Sequence, residues 1–171
     1  MESLLRLKLV ESIKKIMGNN WFQTQIQESE RLDIISEELN IIKNRKRKNL
    51  KIDENILINE ANFGFWVEFF NKKVYKDLKG SPIKSFSNLP KTLKRKEIYS
   101  KLCAIKELRN NIYHHKDFFI NDLIKDKQNI TYLLQVNNDI ECLINALDPS
   151  ALILIDKKFE STLKSISEIY S

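Results

Sequence analysis

A chain of 171 residues has room for one domain with a substantial core, and its length argues against two independent cores. Apolar residues make up 42% and charged residues 30%, a balance that excludes a disordered chain, while 3 glycines and 3 prolines leave few tight turns and favour helices over many short strands. The formal net charge is +6, and it is concentrated in two runs, which directs attention to polyanionic partners.

Taken in chain order, Leu4, Leu5, Leu9, Ile13 and Ile16 recur at helical spacing until Gly18-Asn19-Asn20 breaks the pattern, so a first helix is expected over about 2–17. This N-terminal stretch carries Glu2, Arg6 and Lys8 among its leucines and lacks the apolar run of a signal peptide. A second helix is expected over about 21–42, with Phe22, Ile26, Ile34, Ile35, Leu39 and Ile42 as its stripe. The run Lys43-Asn44-Arg45-Lys46-Arg47-Lys48 then reads as the connection out of it. Asp53 is the expected N-cap of a third helix reaching about Lys79. In that helix Ile56, Phe63, Trp66, Val67, Phe70, Val74 and Leu78 share about a third of the circumference, whereas Leu57, Ile58, Phe65 and Phe69 lie elsewhere. An element apolar on two sides must be covered on both, in the centre of a bundle or at a subunit interface.

Gly80-Ser81-Pro82 ends the third helix, and the loop to Pro90 is expected to tuck Phe86 and Leu89 inward. A fourth helix begins near Lys91–Lys94 and carries Ile98, Leu102, Ile105, Leu108 and Ile112 on one face. The stretch 118–127 reads as irregular or briefly helical, a fifth helix covers about 129–147, and Pro149 suits the start of a sixth running to about Tyr170. The expectation is a single all-α domain over 1–171, a bundle of about five to six helices. Cys103 and Cys142 fall inside apolar helical patterns and form no metal or redox motif, which points to a reducing compartment. With no apolar run approaching ~18–20 residues, a cytoplasmic protein without membrane spans is expected.

The basic run at 43–51 and a second of Lys91, Lys94, Arg95 and Lys96 read equally as solvated loops or helix ends and as a phosphate-tracking patch. A more specific signal lies in the fourth helix. With Ile98 at 0°, Leu102 falls at about 40°, Ile105 at about 340° and Ile112 at about 320°, and Arg109 lands at about 20°, in the middle of the apolar stripe. An arginine keeps its charge and is seldom buried without a partner. Either a carboxylate from another helix meets Arg109 in the core, or the stripe opens into a cleft where the guanidinium binds phosphate.

The company of Arg109 is Glu107-Leu108-Arg109-Asn110-Asn111-Ile112-Tyr113-His114-His115, which contains the only 2 histidines of the chain. Asn110 and His114 lie four apart and share a face, so the amide can orient the imidazole. Arg109 and His114 lie five apart and point about 140° from each other on a straight helix. Their cooperation requires a π-type bulge, the end of the helix or a second subunit.

Arg109-Asn110-x-x-x-His114 resembles the R-x4-H signature of the HEPN superfamily, helical domains that include metal-independent ribonucleases of defence and toxin–antitoxin systems. Together with Asn62-Phe63-Gly64-Phe65-Trp66, Phe69-Phe70, Tyr75 and the pair His114-His115, it resembles the Abi-like (abortive-infection, AbiD/AbiF-type) branch over about residues 55–120. The chain departs from that pattern at Lys79, Tyr113 and Lys116. The resemblance implies a HEPN-like core over about 53–171 with the N-terminal helices of 1–42 packed on it. It also implies a homodimer that brings two Arg/His sets together, RNA as substrate, an antitoxin as a further partner, and neither metal nor cofactor. On this basis Arg109 would clamp phosphoryl oxygens, His114 would move protons and Asn110 would orient His114 or bind phosphate. His115, Lys116 and Glu107 would support them. Arg45, Lys46, Arg47, Lys48, Lys94, Arg95 and Lys96 would track the RNA backbone, and Trp66 or Tyr113 would be available to stack on a base. Two further readings stand beside this one: a non-catalytic RNA- or nucleotide-binding or dimeric module of the same fold, and a partner of a nucleotidyltransferase. The R-x4-H-x-Y pattern of the latter is absent, because Lys116 holds the tyrosine position.

Overall fold

The computed structural model describes residues 1–23, 33–46, 53–113 and 127–154, together with Ser161 and Ser165, and every regular element among them is helical. The chain forms two compact units, Met1–Ser87 and Asn88–Ser171.

In the first unit, α1 (Glu2–Met17) buries Leu5, Leu9, Val10 and Ile13, the face that its period predicts, and stops where Gly18 takes a positive φ of 89°. It packs on the 3-10 segment Ser81–Ser85 and on the element at Phe63–Glu68. A helical turn begins at Trp21, and α2 spans Asp33–Lys46, while residues 24–32 lie outside the description. The helix therefore runs on through Lys46, and the first half of the basic run is helical, not a connection. Lysine and arginine are good helix formers, so like charge at a helix end does not halt hydrogen bonding.

The long third helix expected from 53 to 79 is three short ones: α3 (Glu54–Glu60), α4 (Phe63–Glu68) and α5 (Lys72–Asp77). Asp53 caps α3 as expected, accepting from the Ile56 amide at 2.9 Å. The breaks fall at Asn62 and Asn71, whose side chains accept from the Phe65 and Lys73 amides at 2.9 and 3.1 Å and start new helices. Most of both apolar sets is buried because the segment turns at each break. Leu57, Phe65 and Phe69 are as buried as Phe63, Trp66 and Phe70. The two-sided pattern is thus met mostly by burial within the first unit, with Ile56 and Ile58 left half-buried. Phe65, Trp66 and Phe69 meet edge-on or tilted at centroid separations of 4.9–5.3 Å, and Phe70 meets Phe86 at 5.8 Å. Such aromatic pairs add about 0.5–1.5 kcal/mol each beyond area burial.

Polar links fix these short helices. Arg6 donates to the Ile58 carbonyl at 2.9 Å, satisfying an orphan acceptor at the end of α3, and pairs with Glu2. Glu54 accepts from Trp21 Nε1 at 2.6 Å and pairs with Lys14. The buried carboxylate of Glu38 accepts from the Asn62 backbone N–H at 2.9 Å and from its amide nitrogen at 2.8 Å. Gly80, in the left-handed region with φ 71°, turns the chain into Ser81–Ser85 and lies against the Tyr75 ring, where a Cβ would meet the phenol oxygen at 3.4 Å.

In the second unit, α6 (Arg95–Tyr113) packs on α7 (Lys127–Leu147), and the 3-10 segment Pro149–Leu154 folds back against α7. Residues 114–126 and most of those after Leu154 lie outside the description, so of the expected sixth helix only the 3-10 segment Pro149–Leu154 and the helical positions Ser161 and Ser165 are described. Ile98, Leu102 and Ile105 of α6 and Ile130, Leu133, Val136 and Leu143 of α7 are buried. Lys101 pairs with the buried Asp139, which also accepts from Gln135 at 2.9 Å. No described helix is long and apolar enough to cross a membrane.

Candidate functional site

The start of α6 is held by Glu97, whose carboxylate accepts from the Lys94 backbone N–H at 3.1 Å. Lys91, Lys94 and Lys96 are exposed there and Arg95 is half-buried, so this second basic run is a solvent-facing cluster. Positive charge at a helix N-terminus opposes the macrodipole, and an anion brought to it relieves both. Of the first run, Arg45 and Lys46 belong to α2 without described side chains, and Arg47 and Lys48 lie outside the described residues.

Burial of the α6 stripe changes along its length. Ile98, Leu102 and Ile105 are sealed, Leu108 is half-buried against Leu133, and then Arg109, Ile112 and Tyr113 are exposed. The stripe therefore opens over its last two turns, and Arg109 stands at the opening instead of inside the core. The Arg109 side chain is exposed and is not enclosed in the core. Ile105, Leu108, Arg109, Ile112 and Tyr113, joined by Ile140 from α7, line a cavity of about 290 Å³. Five of these six fall on about 140° of the α6 circumference, so one face of one helix builds most of the site.

The neighbouring residues divide. Asn110 and Glu107 are exposed on α6. Glu107 lies close enough to Tyr132 for its charge to add to the larger effect of burial, and together they push the Tyr132 phenol above its usual range. Tyr132 also donates to the Ala104 carbonyl across the two helices at 3.4 Å, so Glu107 faces the α6–α7 seam as well as solvent. His114, His115 and Lys116 lie outside the described residues. The helix is regular α up to Tyr113, so no π-bulge rotates Arg109 toward the following residue. Trp66 is fully buried in the aromatic cluster and offers no stacking surface, whereas Tyr113 is 74% exposed at the rim of the cavity. No local sequence pattern singles out Ile140. It sits half-buried one position from Asp139 on α7, and only the pairing of the two helices brings it to Arg109.

Comparison of the chain with protein-family models, with curated proteins and with solved structures finds no match.

Proposed function

We propose that this chain is a metal-independent endoribonuclease of HEPN type, serving phage defence or a toxin–antitoxin system, with Arg109 as its phosphate clamp. The observation that carries the reading is the exposure of Arg109 at the mouth of an apolar cavity, in an R-x4-H motif whose histidine follows directly on the end of the described helix. An exposed guanidinium at such a mouth can reach a phosphodiester and match its oxygens with paired donors. RNA brings its own nucleophile, the 2′-hydroxyl. The protein need only accept that proton, stabilise the added charge on phosphorus and return a proton to the leaving 5′-oxygen. His114 serves the proton transfers and Arg109 the phosphoryl oxygens, with Asn110 orienting the imidazole. His115, Lys116 and Glu107 act in support. The products are a 2′,3′-cyclic phosphate and a 5′-hydroxyl. Lys94, Arg95 and Lys96, with Arg45, Lys46, Arg47 and Lys48, hold the strand through its phosphates.

A second reading stands beside this one, because the five-residue spacing of Arg109 and His114 sets them about 140° apart wherever a straight helix carries both. A homodimer resolves this by pairing Arg109 of one protomer with His114 of the other. A non-catalytic RNA-binding module needs no such pairing. Expression of the wild type beside Arg109→Ala and His114→Ala, with growth and total-RNA integrity followed in the presence of chelator, separates the two. Cleavage by the wild type alone supports the nuclease. Cleavage retained by all three removes the site, and cleavage by none leaves the binding module.

A further inference from the structure

The cavity beside Arg109 has a composition that phosphate binding alone does not explain. Four of its six lining residues are aliphatic, one is the phenol ring of Tyr113 and one is the guanidinium. A phosphate needs only the cation, and the aliphatic walls and aromatic rim add nothing to it. At about 290 Å³ the volume sits at the lower end of the ~300–1,000 Å³ typical of small-ligand sites, which suits one flat heterocycle. We infer that this cavity receives a single unpaired RNA base, stacked on Tyr113, while the phosphate adjoining that base lies on Arg109. The inference rests on the RNA reading of Arg109 and deepens it, by making the substrate single-stranded at the site.

A nucleobase has an apolar face that stacks on an aromatic ring and a polar edge that needs partners. Aliphatic walls satisfy the face and leave the edge turned to the open mouth, so the site tolerates any base. A base held in a duplex has neither face available, so paired RNA is excluded. Charge complementarity favours this occupant: a polyanionic strand is drawn both to the guanidinium lining the cavity and to a chain of net charge +6.

The test uses the full chain and short 2′-O-methyl RNA probes, which lack the free nucleophile and cannot be cut. Three probes are compared by fluorescence anisotropy: a single strand, the same strand with one abasic position in every three, and the strand annealed to its complement. Binding of the intact single strand is expected to be about tenfold tighter than that of the other two. Tyr113→Ser is expected to erase that preference and Tyr113→Phe to keep it, while Ile140→Trp, which fills the cavity, erases it with the ring of Tyr113 in place. Equal binding of intact and abasic strands by the wild type overturns the inference, as does the absence of binding to any probe. A change in sedimentation mass on Tyr113→Ser with unchanged RNA affinity assigns the cavity to a second copy and overturns it too. Cleavage of unmodified RNA is scored separately. Loss of cleavage in Arg109→Ala and His114→Ala with no base preference leaves the nuclease and removes the base site, and the opposite pattern does the reverse.

Discussion

At the scale of single residues, the contrast between Arg109 and Lys101 on the same helix is instructive. Both lie toward the apolar side of α6, yet Lys101 is one-quarter exposed and paired to Asp139, which is almost fully buried, while Arg109 emerges at the cavity. Removing a partner from a buried pair leaves an uncompensated charge and costs about 3–5 kcal/mol, and the partial exposure of Lys101 discounts that to roughly 2 kcal/mol. Asp139→Ala should therefore lower the free energy of unfolding, measured by urea titration, by that amount. The double change Lys101→Met with Asp139→Leu should recover most of it, since two packed apolar side chains replace the pair at little net cost. Arg109→Ala should leave stability within about 0.5 kcal/mol of wild type, as for surface changes elsewhere, so a loss of cleavage in that variant reports on chemistry and not on folding.

At the scale of elements, the helices with a clean 3.6-residue period were legible and the one without it was not. Leu5, Leu9 and Ile13 mark α1, and the apolar stripe of α6 marks its buried turns, because each helix buries one face against one neighbour. Residues 53–79 are so rich in apolar side chains that any helical register finds a stripe, and the true punctuation lay in two asparagines. The energetic weight of those asparagines differs. The Asn71 side chain caps α5, and that cap is worth about 1 kcal/mol. Asn62 also supplies the two donors that satisfy the buried carboxylate of Glu38. Asn62→Ala keeps the backbone donor but removes the amide and the cap, which adds a desolvation penalty of about 1–3 kcal/mol. Denaturant unfolding should thus show Asn62→Ala losing about 2–3 kcal/mol and Asn71→Ala about 1 kcal/mol. Equal losses would mean that Glu38 finds other donors.

At the scale of the whole molecule, what the chain shows a partner is set by charge as much as by the cavity. The motif around Arg109 was legible because an arginine on an apolar stripe is chemically anomalous, whereas Ile140 reaches the cavity from a helix distant in sequence and leaves no local signal. The basic runs stand between these cases: the sequence reveals their charge but not their exposure, and the exposed Lys91, Lys94 and Lys96 make the second run a solvent-facing cluster. If that cluster tracks a phosphate backbone, each contact releases counterions, and the logarithm of affinity for a single strand falls with the logarithm of salt by about 0.7 per phosphate neutralised. Replacing Lys94, Arg95 and Lys96 together by alanine should then flatten the slope by about 2 and weaken binding most at low salt. The preference for intact over abasic strands should survive, because it arises at the far end of α6, about 20 Å away along the helix axis. A parallel shift of the whole salt curve without a change of slope would show that these three cations act on folding and not on the strand. A fall in base preference together with the slope would show that the cluster and the cavity are not separate contributors to binding.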